Sequence, residues 1–384
     1  MPAAPAATPN SAPTGAGRLP GEDRLPRGGR VLVIRLSALG DVLFALETVA
    51  ALKRERPDVL VDFLVEDRFR SLLDGHPQLD RVLVYPRQRH RAIPGSLWRL
   101  RRQRYDVVLD VHGILKSALH VRFTRSPCKV GPAAPAAREG ADRAYHLAVP
   151  MPTPIPHRAD IGHRLLAAIG LSGQPTPPVL PLREPPPELL ADLPRPRVFL
   201  HPGTSAFAAF KRWPVAHFAA LAHELTAHGV AVLVGFGPGE HDLAAPALAA
   251  APKARGIDGK ALGLLGMAGV MRHCDVVVAA DTGPLHLGAA VGARCVALFG
   301  PKDHLRYGPR AHGDVAHEVL FHPVPCRPCR LRTCVTPQCV LGIPVADALA
   351  AVLRQLRAAG HAVPLELGND DRREVERKGT EVPR

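Results

Sequence analysis

The chain has 384 residues, enough for two or three domains at about 150 residues each. With 46% hydrophobic and 22% charged residues it is neither wholly disordered nor an all-membrane protein. The formal charge of +14 rests on 49 Lys and Arg, 41 of them Arg; beside 41 Pro and 34 Gly, it fits GC-rich coding as well as an anionic partner.

Residues 1–29 are rich in Pro, Ala and Gly. They lack a charged segment followed by an apolar one, so they read as a disordered tail and not as a secretory signal. Val31-Leu32-Val33-Ile34 begins a buried strand, and Ser37-Ala38-Leu39-Gly40 is a turn. Asp41 then opens a helical pattern through Leu43, Leu46, Val49, Ala50 and Lys53, which Pro57 stops. Further strand runs are predicted at 59–65, 81–84 and 106–109. Strands alternating with helices at this pitch imply a parallel sheet covered on both faces.

From Leu171 to Arg197 the chain is dense in Pro, as expected of a stiff, extended inter-domain linker. The alternation then restarts, with strands predicted at 198–200, 230–234, 275–279 and 293–299. Helices are expected at 215–228, across 268–273, at 284–291 and at 345–358. Residues 366–384 read as a charged flexible tail. The expected fold class is α/β, with two doubly wound Rossmann-like domains, 30–184 and 185–365. No run of 18 apolar residues occurs, so no transmembrane helix is predicted. Seven Cys make no secreted disulfide scaffold, and a reducing cytosol is the expected setting.

In such sheets ligands bind beyond the carboxyl ends of strands, at helix N-termini. Three strand-turn-helix segments qualify. The first ends in Asp41, which suits either a helix N-cap or a general base facing a cleft. In the second, His201-Pro202-Gly203-Thr204-Ser205 precedes Phe210-Lys211-Arg212-Trp213-Pro214. It is a plausible phosphate cradle without the Gly-Lys-Ser/Thr ending of a P-loop, or else a basic turn anchored by Trp213. The third is Asp281-Thr282-Gly283-Pro284-Leu285-His286, where Pro284 suits the first helical position and the turn suits a pyrophosphate. Between the last two lies Gly235-Phe236-Gly237-Pro238-Gly239-Glu240, from which Glu240 can reach a ribose diol. Cys326, Cys329, Cys334 and Cys339 form a candidate metal cluster, but their spacing is neither paired CxxC nor a ferredoxin pattern. Cys128, Cys274 and Cys295 read as buried small hydrophobes.

In this order the segments resemble glycosyltransferase family 9, the heptosyltransferases of lipopolysaccharide core assembly, over residues 30 to 358. Asp110-Val111-His112-Gly113 and Leu287-Gly288-Ala289-Ala290 belong to the same set. The resemblance implies a GT-B fold with the acceptor on the N-terminal domain and the nucleotide-sugar on the C-terminal one. It implies Asp41 as the base that deprotonates the acceptor hydroxyl. Lys211 and Glu240 match residues holding the donor's ribose and phosphates. Thr204, Ser205, Asp281, Thr282, Gly283 and Pro284 match the pyrophosphate and sugar contacts. His286 matches a donor-side position, and Leu262 one near the base. The implied reaction inverts the anomeric carbon and moves heptose from ADP-heptose to a Kdo/heptose inner core. It needs no metal or other cofactor, the nucleotide-sugar being a substrate. Two departures stand out: Glu47, where the family usually has Pro, and the apolar loop Ala206-Phe207-Ala208-Ala209.

The alternatives are a GT-B transferase using another nucleotide-sugar and, more remotely, a zinc-containing nucleic-acid binder. With only 4% aromatic residues, stacking platforms for single strands are few, and no nucleic-acid partner is expected. A lipid-anchored oligosaccharide acceptor implies work at the cytoplasmic side of an anionic inner membrane, peripherally bound. Arg68, Arg70 and the run from Arg87 to Arg104, with Leu97, Trp98 and Leu100, are the expected docking surface.

Overall fold

A computed structural model of the protein describes residues 24–155, 157–329, 331 and 333–364. Residues 1–23 and the tail expected at 366–384 lie outside the described residues. Among the described residues twelve strands form two six-stranded sheets with all pairings parallel. The first sheet contains β1 (Arg30–Ile34), β2 (Leu60–Glu66), β3 (Arg81–Tyr85), β4 (Val107–Asp110), β5 (Cys128–Pro132) and β6 (Leu147–Val149), in the order β3-β2-β1-β4-β5-β6. Its helices are α1 (Leu39–Glu55), α2 (Ile93–Arg102), α3 (Leu115–Phe123) and α4 (Arg158–Ala168).

The second sheet repeats this topology with β7 (Arg197–His201), β8 (Ala231–Phe236), β9 (Arg255–Asp258), β10 (Val276–Ala280), β11 (Arg294–Leu298) and β12 (Glu318–Leu320). Its order is β12-β11-β10-β7-β8-β9. The accompanying helices are α5 (Val215–Ala227), α6 (His241–Ala250), α7 (Gly259–Arg272) and α8 (Gly283–Ala290). Short α9 (His304–Tyr307) and α10 (Gln338–Leu341) precede the closing α11 (Val345–Ala358). Both sheets are doubly wound, and the architecture is the GT-B fold.

The central strands are runs of Val, Leu and Ile because both faces are covered; Val31 to Ile34 and Val276 to Val278 are fully buried. Each such side chain contributes about 1.5–3 kcal/mol relative to an exposed one. One apolar cluster runs from Leu46, Val49 and Leu165 in the first domain into Leu265, Met271 and Leu285 in the second. The Pro-rich segment carries no regular element between Ser172 and Pro186 and lies against both halves. His76 Nε2 meets the Val179 carbonyl at 2.8 Å, and the Arg183 carbonyl packs over Gly269.

Several expectations change. Asp41 is not the N-cap of α1; Ala38 is, and Asp41 sits in the first turn with its carboxylate engaged elsewhere. Packing begins before Arg30: Leu25 is buried, and the Arg56 guanidinium donates to its carbonyl at 2.7 Å. The helix expected across 268–273 is the end of the longer α7, bent at Gly263 where φ is 68°.

Candidate active site

Two half-sites lie where each sheet reverses its strand order, and the register of neighbouring strands builds both. In the first sheet Ile34 pairs with Asp110, so Arg35 and Leu36 leave β1 beside Val111 and His112 leaving β4. Arg35 is buried. Its Nε donates to the Ser37 carbonyl at 3.0 Å and its Nη1 to the Val111 carbonyl at 2.8 Å, which aims the remaining nitrogen at Asp41. Arg158, opening α4, donates through Nε to Asp41 Oδ1 at 3.3 Å. Burial favours the neutral acid, but the two guanidiniums outweigh it and hold Asp41 far below the usual carboxylate range. Burial in turn lowers Arg35 to about 10.

His112 completes this half-site. Its Nδ1 accepts the Leu36 N–H at 3.4 Å, which fixes the ring, and burial together with the Arg35 charge lowers it to about 2. It is therefore a neutral imidazole throughout the working range. A small cavity lined by Arg35, Asp41, Phe44 and Arg158 opens between α1 and α4. Farther along the cleft, Arg306 lies within the electrostatic reach of Arg138 and Arg158, and its Nε has no hydrogen-bond partner among the described residues.

In the second sheet Ala279 pairs with His201, which sets the start of α8 beside the turn after β7. Lys211 reaches across to Asp281, Nζ to Oδ2 at 2.5 Å and to its carbonyl at 3.4 Å. Burial pushes the Asp281 carboxyl up, but His286 and Lys211 pull it net below its ordinary value. His286 Nε2 stands 3.7 Å from Asp281 Oδ1. Thr282 caps α8 without a side-chain bond to its N–H groups, and Pro284 occupies the first turn as expected. Thr204 is buried with an unpartnered hydroxyl, and the Arg212 guanidinium donates to its carbonyl at 3.1 Å. Ser205 is exposed. Glu240 Oε2 accepts the Gly237 N–H at 2.9 Å and stands 3.9 Å from His201 Nε2. Leu262, half-buried in the first turn of α7, packs against Gly266 and joins none of these contacts. Trp213 is the buried anchor of this segment, its indole N–H bonded to the Ile343 carbonyl at 3.0 Å.

The half-sites touch. A Cβ on Gly40 would fall 2.3 Å from the His286 ring, and one on Gly283 would fall 2.5 Å from Leu39. Only glycine at both positions lets the first turn of α1 and the first turn of α8 meet. Phe44 stacks edge-on to His286 with centroids 5.0 Å apart. Asp41 and the Asp281–His286 turn therefore face one another across a single seam.

Glu47, one turn beyond Phe44 along α1, is buried in that seam. His312 lies 3.4 Å and Arg310 3.9 Å away from the second domain, and His163 lies 3.6 Å away on α4. Arg310 also holds Asp160 at 2.7 Å. Arg35, Arg138, Arg158 and Arg306 escape a reading of sequence motifs. Arg35 looks like the flank of a strand, and Arg158 is 117 residues from the carboxylate it grips.

The cysteines divide. Cys128, Cys274 and Cys295 are buried, as expected. Of the late group, Cys326 and Cys334 are exposed, Cys329 is half-buried and Cys339 is buried. Burial, then the neighbouring Cys326 and Cys334, push the Cys339 thiol up. Among the described residues no three His, Cys, Asp or Glu side chains are gathered to hold a metal. Part of the basic cluster is neutralised: Arg68 and Arg87 pair with Glu66, and Arg70 with Asp74. Leu97 and Leu100 are buried, which leaves Trp98 as the exposed apolar residue of the proposed docking run.

The model of glycosyltransferase family 9 (heptosyltransferase) matches residues 96–339. Lipopolysaccharide heptosyltransferase 1 of Pseudomonas aeruginosa is 31% identical over 333 residues, covering 79% of this chain and 87% of that protein. The enzyme of the same name from Escherichia coli K12 is 28% identical over 294 residues, 71% of this chain and 88% of that one. Among solved structures, a glycosyl transferase family 9 protein from Veillonella parvula superposes with a TM-score of 0.71 at 19% identity, covering 87% of this chain and 98% of that one. E. coli heptosyltransferase WaaC with ADP gives 0.62 at 24% identity, covering 76% and 92%.

Proposed function

The chain belongs to glycosyltransferase family 9 and is a glycosyltransferase of lipopolysaccharide core assembly, and from that premise we propose that it moves heptose from ADP-heptose onto the Kdo/heptose inner core with inversion. The observation that carries this reading is the facing of Asp41 and the Lys211–Asp281–His286 cluster across the seam where Gly40 meets His286.

In the proposed step the acceptor oxygen attacks the anomeric carbon as the bond to the diphosphate breaks. The electron pair leaves with the phosphate oxygen, and the acceptor proton passes to Asp41. The transition state is oxocarbenium-like. The arginines that keep Asp41 ionised also weaken it as a base, so the proton moves late, when attack has made the hydroxyl acidic. Charge growing on the leaving diphosphate meets Lys211 and the free N–H groups at the start of α8. They absorb it without a metal. Thr204, Ser205, Glu240 and Leu262 belong to the donor side of this reading, with Thr282, Gly283, Pro284 and His286 around the sugar and pyrophosphate.

Arg138, Arg158 and Arg306, drawn together around the cleft, suit an acceptor that carries carboxylates, as Kdo does. A lipid-anchored acceptor of this kind brings the enzyme to the cytoplasmic face of an anionic membrane. No helix among the described residues is long and apolar enough to cross one. The competing reading, another nucleotide-sugar, draws on the apolar loop beside Lys211, where Phe207 is exposed. Thermal-shift ranking of ADP, UDP and GDP separates the two. ADP is expected to stabilise most, and a larger shift with UDP or GDP overturns the heptose reading.

A further inference from the structure

α2 and α3 lie side by side over the outer face of the first sheet, on the side away from the second domain, and their outward faces combine features that a folded surface usually keeps apart. On α3, Leu115, Leu119 and Phe123 are spaced four residues apart and form one stripe, 58%, 43% and 38% exposed. On α2, Trp98 is 59% exposed, and the Arg102 guanidinium lies over its ring at 4.4 Å. On the same elements and the neighbouring β5 stand Arg101, Arg122 and Lys129. Lys129 is lowered by burial and then by the like charges of Arg101 and Arg122, which shows that the three cations crowd together. Among the described residues none of the three has a carboxylate within ion-pair range. Concentrating repelling cations beside bare Leu, Phe and Trp costs stability in the free protein. Anionic headgroups over an apolar layer would neutralise the charges and cover the side chains together.

The stripe also has a direction. Leu115 begins α3 three residues after His112, whose ring lies within the electrostatic reach of Asp41. One end of the apolar face thus adjoins the rim of the acceptor half-site and the other runs away from it. We propose that the α2–α3 face, with Leu115, Leu119, Phe123 and Trp98 inserted and Arg101, Arg122 and Lys129 at headgroup level, docks the enzyme on an anionic bilayer and holds the acceptor cleft at its surface. The inference rests on the reading of a lipid-anchored acceptor but concerns a separate surface, so the two are tested separately.

The test uses the full chain, with flotation on phosphatidylcholine vesicles with and without phosphatidylglycerol. Wild-type protein is expected to float with the anionic vesicles only and to be released by salt. Arg101→Ala/Arg122→Ala is expected to lose about 30-fold in apparent affinity, at about fivefold per cation. Leu119→Ser/Phe123→Ser is expected to abolish flotation. Both variants alter exposed side chains, and both should keep wild-type transfer to a delipidated acceptor and lose transfer to the same acceptor embedded in vesicles. Equal flotation of variants and wild type overturns the proposal. So does flotation on neutral vesicles alone, or a face that instead holds two copies of the chain together, seen as a dimer that Leu119→Ser/Phe123→Ser splits. Failure of transfer to the delipidated acceptor by wild-type enzyme strikes the functional reading and leaves the docking result standing on its own.

Discussion

At both strand-order reversals an aspartate is ion-paired, yet the two arrangements differ in which partner is held. Asp41 keeps 23% of its side chain exposed toward the cleft, and its two arginines reach it from behind, Arg35 fixed by two backbone carbonyls. Asp281 is 8% exposed and grips Lys211. In the first site two guanidiniums hold the acid; in the second the acid holds the ammonium. Under the proposed function, one topology used twice would supply a proton acceptor on one side of the seam and a charge acceptor on the other. The lesson is that the strand order fixes where a site lies, and the partners of its carboxylate decide what it does.

Breaking the acceptor half should have the largest effect. Asp41→Asn removes the group proposed to take the proton and is expected to cost about 1,000–10,000-fold in kcat, with donor binding by calorimetry unchanged. Lys211→Ala, on the donor side, should lose about 100–1,000-fold in kcat and weaken nucleotide binding as well, because its charge is felt in both ground and transition states. Arg35→Gln sharpens the comparison, since Arg35 acts through Asp41. In the wild type kcat/KM should stay flat down to acid pH, the folded carboxyl lying far below its ordinary 3.8. In the variant Arg158 alone of the two guanidiniums opposes burial, the carboxyl rises, and the acid limb should move to higher pH. An unchanged pH profile would reduce Arg35 to a structural role.

The smallest effect concerns the seam. Glu47 is buried between domains with its folded pKa net below the ordinary 4.5, because His163, His312 and Arg310 outweigh the burial that raises it. A depressed acid contributes stability above its unfolded pKa and loses it as pH falls toward the folded value. Thermal scans of wild type and Glu47→Gln should therefore differ at neutral pH, by about 3 kcal/mol. The gap should close as pH drops below 4.5.

Much of this was legible in the sequence, for a physical reason. Strands buried on both faces must be largely apolar runs, so β1, β2, β4, β7 and β10 announce themselves. The shorter strands toward the other edges do not: β5 ends in Gly131 and Pro132, and β6 and β12 have three residues each. Helix α4 was hidden by Gly162, which reads as a break; in the fold its missing Cβ lets Thr48 of α1 approach closely. Asp41, Lys211, Asp281 and His286 stand out in the sequence because strand-turn-helix order is local. Arg158 and the Glu47–Arg310 contact do not, because the partners lie far along the chain, and Arg35 looks like the flank of a strand. The exposed stripe of α3 escapes notice for a different reason: three apolar residues at helical spacing look like a core face until the fold shows them exposed among the described residues.

The central claim is a single displacement, with Asp41 serving the acceptor on one side of the sugar and Lys211 the diphosphate on the other. The most direct test is the anomeric configuration of the product, assigned by NMR after transfer from a donor of known configuration. Inversion is the predicted result. Retention would require a covalent intermediate or a front-face step in place of the single displacement, and it would contradict the account.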